Sequence, residues 1–215
     1  MHSNAYTYRF IIILTGFAAL LLSFASTSLK SRQDFNRELD TKKNILKVVN
    51  LYHVTMTQDE IVSNYKKNIK LKTTNGNSLN YYECNINNNL EGYILPISGK
   101  GLWSTINGFL ALNPDLNTIK GITFYEHGET PGLGGEIEKE WFTSQFIGKK
   151  IFDSNKKLIS VEINKGKVSE INDHEVNGVS GATLTTKGVN DFLLKDLKNY
   201  EQFLKQNIDG GSDGQ

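Results

Sequence analysis

Two short segments hold the residues with the most chemical potential. The first is Asn177-Gly-Val-Ser-Gly-Ala-Thr183-Leu-Thr-Thr-Lys-Gly188, set just before the last helix-periodic stretch of the chain. Small side chains let a backbone approach a ligand closely, and a helix N-terminus offers unpaired N–H groups and the positive end of a dipole to an anion such as a phosphate. Ser180, Gly181, Ala182, Thr183, Leu184 and Thr185 are therefore candidate binding residues. Ser/Thr/Gly clusters also open ordinary helices, with Thr186 as the N-cap here, and on form alone that is the commoner meaning. The second segment is Glu126-His-Gly-Glu-Thr130-Pro-Gly-Leu133-Gly-Gly135, directly after an expected strand. Glu129, Thr130, Gly132, Leu133 and Gly134 could lie against a flat ligand, with Leu133 on a ring face. The segment lacks the Gly-x-Gly-x-x-Gly order of a dinucleotide fold and the lysine of a P-loop, and a plain strand-exit turn has the same composition.

Other chemistries find little support. His127 has no second His or Cys at ligand spacing, so a metal site is not expected there. No Gly-x-Ser-x-Gly elbow accompanies Ser180, which disfavours a hydrolase. The single cysteine, Cys84, excludes an intramolecular disulfide framework and a Cys-only metal site. Lys+Arg 24 against Asp+Glu 23 gives a net charge of +1, without the basic excess expected of a nucleic-acid binder.

These segments need elements to position them. At 215 residues the chain has room for one ordinary domain plus a small second element. Residues 10–29 carry no charge, and twenty helical residues rise roughly 30 Å, the thickness of a bilayer's hydrocarbon core. This is expected to be an uncleaved membrane anchor. Arg9 alone precedes it while Lys30, Arg32, Arg37, Lys42 and Lys43 come after it, so the positive-inside rule would keep the remainder cytoplasmic. Phe35, Leu39, Leu46 and Val49 mark residues 31–50 as an amphipathic helix. Thr57-Gln-Asp-Glu60 reads as a capping box opening a short helix. Turns are expected at Asn75-Gly76 and Asn87-Asn-Asn89, with Tyr81 and Tyr82 on a strand between them. Residues 102–112 and 119–125 read as a hairpin around Asn113-Pro-Asp115, residues 138–146 as a helix anchored by Trp141, Phe142 and Phe146, and 158–163 as a strand. The last helix is expected over 186–206, with a disordered tail after it.

Gly99-Lys-Gly-Leu-Trp103-Ser, Gly108-Phe-Leu-Ala-Leu-Asn-Pro-Asp115, Thr118-Ile-Lys-Gly121, Phe124-Tyr-Glu-His-Gly-Glu-Thr-Pro-Gly-Leu-Gly-Gly-Glu-Ile137, Gly148-Lys-Lys-Ile-Phe-Asp153 and Ser-Gly-Ala-Thr183 occur in one order. In that order they resemble the C subunit of the sodium-translocating NADH:quinone reductase over nearly the whole chain. The resemblance implies an α+β fold with a single N-terminal transmembrane helix and one mixed FMN-binding domain. The expected divisions are an anchor over 1–30, connecting helices over 31–70, the FMN-binding domain over 71–208 and the tail over 209–215. It further implies FMN joined through its phosphate to Thr183, attached by a separate magnesium-dependent flavin transferase, in a subunit that carries electrons within a sodium-pumping complex. Other subunits of that complex and the bilayer around residues 10–29 would be its partners, in a bacterial inner membrane with the soluble domain periplasmic. That orientation opposes the distribution of charge around the span. Thr185 and Lys187 stand where they could hold the phosphate. Asn177-Gly178 departs from the Asp-Gly common in the family, and Ile137-Glu-Lys-Glu-Trp141 lacks an Asn-Pro often found there. The G subunit of the related Rnf-type complex shares the second loop and Ser-Gly-Ala-Thr. A non-redox, membrane-anchored binding module is the alternative from a different class.

Overall fold

The computed structural model describes residues 4–75, 78–165 and 172–210. Two compact units divide the chain, residues 1–40 and 41–215. Helix α1 (Asn4–Val48) includes the expected apolar stretch. It is long and apolar enough to cross a membrane by length and composition, and none of its most apolar window is buried by protein. From Thr41 onward α1 belongs to the second unit, where Ile45, Leu46, Val48 and the adjoining Val49 are buried. The last turns of α1 and helix α2 (Gln58–Asn68) thus fall in the same compact unit as the sheet. The capping box at α2 forms in both directions. Glu60 N–H donates to Thr57 Oγ1 (3.3 Å) and Thr57 N–H to Glu60 Oε2 (2.7 Å).

The second unit is an antiparallel meander of β1 (Ile69–Thr73), β2 (Asn80–Ile86), β3 (Asn89–Lys100), β4 (Thr105–Leu112) and β5 (Ile119–Glu126), in that spatial order. Asn87 and Asn88 both take left-handed φ (51° and 67°), which matches the right-handed twist of the β2–β3 hairpin. The β4–β5 hairpin forms as its alternation predicts, and Cys84 lies wholly buried in β2. β3 is the longest strand although its sequence shows no clean alternation. Gly92 and Pro96 interrupt the pattern, and the structure accommodates the proline because β2 pairs with β3 no further than Tyr82↔Ile94, leaving Pro96 where β3 has only β4 beside it.

After β5 the chain forms a 3-10 turn (Gly134–Glu138), the single-turn helix α3 (Glu140–Thr143) and a second 3-10 turn (Ser144–Phe146) in place of the one helix expected over 138–146. Phe142 and Phe146 are fully buried as anchors, whereas Trp141 is about half exposed. Short parallel strands β6 (Glu162–Asn164) and β7 (Glu175–Asn177) come next.

Helix α4 (Thr183–Gly210) closes the core against β3 with Val189, Phe192, Leu193, Leu197 and Leu204 buried. It starts three residues earlier than expected and continues through residue 210, into the segment expected as tail; 211–215 lie outside the described residues. Three polar anchors fix it along its length. Asn190 exchanges hydrogen bonds with Ile163, accepting from its N–H (2.8 Å) and donating to its carbonyl (3.0 Å). Asp196 accepts from Ser98 N–H (2.7 Å), and Tyr200 Oη donates to the Asn80 carbonyl (2.6 Å). Burial, with lesser contributions from Asp196 and Tyr82, pushes the Tyr200 phenol up to about 12, so it remains a donor at physiological pH. Any Cβ at Gly188 would sit 2.4 Å from the Lys100 carbonyl oxygen, so the glycine is what lets the first turns of α4 lie directly on the end of β3. That approach sets the position of Thr183.

Candidate functional site

Two turns of the same construction face one another ahead of α4. In Thr130-Pro-Gly-Leu133, the Leu133 N–H donates to the Thr130 carbonyl (3.1 Å) with Gly132 at φ 75°. In Val179-Ser-Gly-Ala182, the Ala182 N–H donates to the Val179 carbonyl (3.1 Å) with Gly181 at φ 76°. A positive φ at the third residue, under an i to i+3 hydrogen bond, is the type II arrangement that favours glycine there, and Pro131 suits the position before it. The turns touch. A Cβ on Gly181 would lie 2.9 Å from Leu133 Cδ2, so the leucine side chain lies over a bare backbone.

Between them is a cleft of about 290 Å³ lined by Leu102, Trp103, Glu129, Thr130, Leu133, Gly134, Gly181, Ala182, Thr183, Leu184 and Thr185. The volume is at the lower edge of the roughly 300–1,000 Å³ usual for ligand pockets, so a flat ring system would be held with one side open to solvent. The two segments singled out by composition thus converge although about fifty residues separate them. Ser180 and Gly132 shape the turns but do not line the cleft. Leu102 and Trp103 stand out in the sequence only as members of a family motif, yet both line the cleft. Trp103 is 71% exposed at the rim, a position where a large indole is unusual unless something covers it.

The hydroxyl groups sort themselves by burial. Thr185 is 1% exposed and its Oγ1 donates to Glu129 Oε2 (2.6 Å), so its proton is committed and it does not face a phosphate at the cleft mouth. Thr186 is not the N-cap. It lies inside α4, donating back to the carbonyls of Ala182 and Thr183. Thr183 is exposed at the first helical position, and its hydroxyl makes no hydrogen bond with the described residues. The N–H groups of Thr183, Leu184 and Thr185 precede the first intrahelical bond, Thr186 N–H to the Ala182 carbonyl, and no acidic side chain occupies the first turn. An anion at Thr183 would meet three donors and the positive end of a 28-residue helix. Lys187, one turn on and therefore on the same helix face, is solvent-exposed with only a loose ion pair to Asp191 (3.7 Å).

Glu129 is 5% exposed and receives Trp103 N–H (2.9 Å) and Ser104 N–H (3.4 Å) on Oε1. Burial alone would raise its pKa, but the Thr185 hydroxyl and the backbone N–H groups of Trp103, Ser104 and Leu102 outweigh it and hold the carboxyl below the ordinary range. His127 is not an exposed loop residue. Its Nδ1 accepts from the Glu129 N–H (3.3 Å), and Nε2 lies 3.5 Å from Glu138 Oε2. Among the described residues no cluster of three metal-ligating side chains occurs.

A larger groove of about 850 Å³ runs along the other flank of α4 from Ile159 to Lys165. Thr183 lines both depressions. Glu162, Glu175 and Asp191 against Lys165 and Lys187 leave that groove without the cationic excess an anionic ligand would favour.

A family model described as an FMN-binding domain matches residues 101–198, the span that contains the whole cleft. The C subunit of the Na(+)-translocating NADH-quinone reductase of Vibrio campbellii is 50% identical over 121 residues, covering 55% of this chain and 46% of that relative. The matched stretch therefore spans about half the length of that protein. The same subunit of Haemophilus ducreyi is 33% identical over 226 residues, covering 86% of each chain. The crystal structure of the C subunit of the Na(+)-translocating NADH-quinone reductase from Parabacteroides distasonis superimposes with a TM-score of 0.70 at 32% identity, covering 82% of this chain and 96% of that one. With likeness extending over most of both chains at this identity, the chain belongs to the family formed by the C subunits of the Na(+)-translocating NADH-quinone reductases.

Proposed function

We propose that this protein is the covalent-FMN electron carrier of a sodium-pumping NADH:quinone oxidoreductase, with FMN joined by a phosphoester to Thr183. One observation carries the assignment of the acceptor. Thr183 presents an exposed hydroxyl at the N-terminus of α4 and at the cleft mouth, while Thr185 and Thr186 have theirs bonded internally. An alcohol is a weak nucleophile and needs both an enzyme and an activated phosphorus. The Thr183 Oγ1–P bond would form as the pyrophosphate P–O bond of a flavin dinucleotide breaks. The nucleoside monophosphate leaves, the hydroxyl proton passes to a base of the transferase, and no electrons change hands.

Bound FMN supplies electron uptake and release. The chain's own residues hold and orient it. The N–H groups of Thr183, Leu184 and Thr185 would receive the phosphate oxygens, with Lys187 adding a cation from the next turn. Leu102, Trp103, Leu133 and Leu184 provide apolar surface for the ring system, and the glycine backbones at 134 and 181 let it approach closely. The open side of the cleft leaves an edge accessible for exchange with a neighbouring carrier. Residues 10–29 would anchor the protein in a bacterial inner membrane with residues 71–208 as the periplasmic FMN-binding domain, other subunits of the complex as neighbours and the flavin transferase as a maturation partner.

The test is co-expression with a flavin transferase, then a denaturing gel read for flavin fluorescence. Wild type should fluoresce and Thr183→Val should be dark. A dark wild-type band, or equal fluorescence in the variant, would sink the assignment. A compartment reporter fused after Gln206 reads the orientation, for which the charges flanking the span and the family disagree.

A further inference from the structure

Glu129 is a buried carboxylate. Among the described residues no lysine, arginine or histidine pairs with it, and its donors are a hydroxyl and backbone amides. Burying such a charge is costly, and neutral donors return only part of that cost. The partners come from two segments, both distant in sequence from Glu129. Thr185 is in the first turn of α4, 56 residues away, and Trp103 and Ser104 are in the β3–β4 turn. The glutamate is itself gripped from behind, since its N–H donates to His127 Nδ1 (3.3 Å) and the adjacent Gly128 N–H donates to Ser104 Oγ. The surroundings are fitted to the carboxylate. A Cβ at Gly134 would lie 2.5 Å from Thr185 Oγ1 and 2.9 Å from Glu129 Oε2, and one at Gly101 would lie 2.5 Å from Glu129 Oε1.

We propose that Glu129 is a positioning residue for the acceptor threonine: its carboxylate clamps Thr185 to the 101–104 turn and so fixes the end of α4 from which Thr183 projects. The inference rests on Thr183 being the acceptor. Because Thr185 and Thr183 are two residues apart on a helix, they point about 200° apart around its axis. Holding one hydroxyl inward therefore holds the other outward. Ionised Glu129 acts on presentation of the hydroxyl and not on flavin recognition.

The experiment uses the full chain, purified in detergent without flavin, and monitors fluorescent labelling with time in the presence of transferase, magnesium and flavin dinucleotide. Wild type and Thr185→Ser, which keeps the hydroxyl, should label at similar rates. Glu129→Gln and Thr185→Val should label roughly tenfold or more slowly, the fold-change expected of a lost charge-assisted hydrogen bond. The loss should appear in the rate at saturating flavin dinucleotide, with the half-saturating concentration unchanged. The double variant should be no slower than the worse single variant, because both changes open the same clamp. Thr183→Val separates two kinds of failure. If wild type does not label, or Thr183→Val labels as wild type does, the acceptor reading fails. If labelling requires Thr183 yet Glu129→Gln and Thr185→Val label at the wild-type rate, the clamp is overturned and the acceptor stands. Additive losses in the double variant, or failure of Thr185→Ser to label, also overturn it. Thr185→Val exchanges a hydroxyl for a methyl group of similar size, so it tests the clamp even where Glu129→Gln fails to fold.

Discussion

The turns at 130–133 and 179–182 share a hydrogen-bond pattern and a left-handed glycine, yet they deliver opposite surfaces to the cleft. The first ends on Leu133, 44% exposed, and runs into a 3-10 turn, so it supplies an apolar face. The second ends on Ala182 and runs into α4, so it supplies unpaired N–H groups and a free hydroxyl. Local conformation is therefore not what distinguishes the turn that presents apolar surface from the turn that presents hydrogen-bond donors. The element that each turn leads into decides, and a long helix on one side only makes the cleft polar at one end.

The largest expected difference between the turns lies in the hydroxyl. Thr183→Val should abolish covalent flavin while shifting unfolding free energy by no more than about 0.5 kcal/mol, because the side chain is exposed. Ser180→Ala should leave labelling intact, and in-gel fluorescence beside a urea melt checks both. Next in size is replacement of the two glycines. Gly132→Ala and Gly181→Ala should each cost about 1–2 kcal/mol from left-handed φ alone. Only Gly181→Ala should also displace Leu133, since position 132 has nothing within 4 Å of a Cβ. Urea midpoints measure the shared cost, and slowed labelling in Gly181→Ala alone would reveal the extra contact.

A smaller effect concerns the carboxylate beneath both turns. The Glu129 pKa is depressed in the folded chain, so its contribution to stability is fully present above its ordinary value of 4.5 and lost as pH falls through the lower folded value. Glu129→Gln should flatten the acid limb of a urea-midpoint profile; an unchanged limb would show that the carboxylate titrates alike in both states. The smallest effect is Leu133→Ala, expected to change stability by under about 0.5 kcal/mol and yet to raise the mobility of bound flavin, read as lower fluorescence anisotropy.

Much of this arrangement was legible in the chain. The uncharged apolar run over 10–29 located the long first helix, and the spacing of Thr57 and Glu60 located α2. Alternation located β4 and β5, and two glycine-rich segments pointed to what became the cleft. The failures have physical causes. β3 was hidden because Pro96 and Gly92 break its pattern, and only the end of the β2 pairing at Ile94 explains why the proline is tolerated. The start of α4 differs from the expected Thr186 because hydroxyl residues resemble caps, whereas the Val179–Ala182 turn leads straight into the helix at Thr183. The Glu129–Thr185 bond spans 56 residues, and no local pattern encodes a contact made by the folding of a sheet. Trp103 stood out only within the family motif, and its place at the rim follows from the fold that forms the cleft.

The burial of Cys84 in β2 has a practical consequence. Burial raises its thiol pKa, with a smaller opposing influence from Lys120, so at neutral pH it offers neither access nor thiolate to an alkylating reagent. A cysteine introduced at Leu184, 59% exposed beside the cleft, would therefore be the sole reactive thiol of the folded chain. Spin labels and fluorophores can be attached there without removing the native residue.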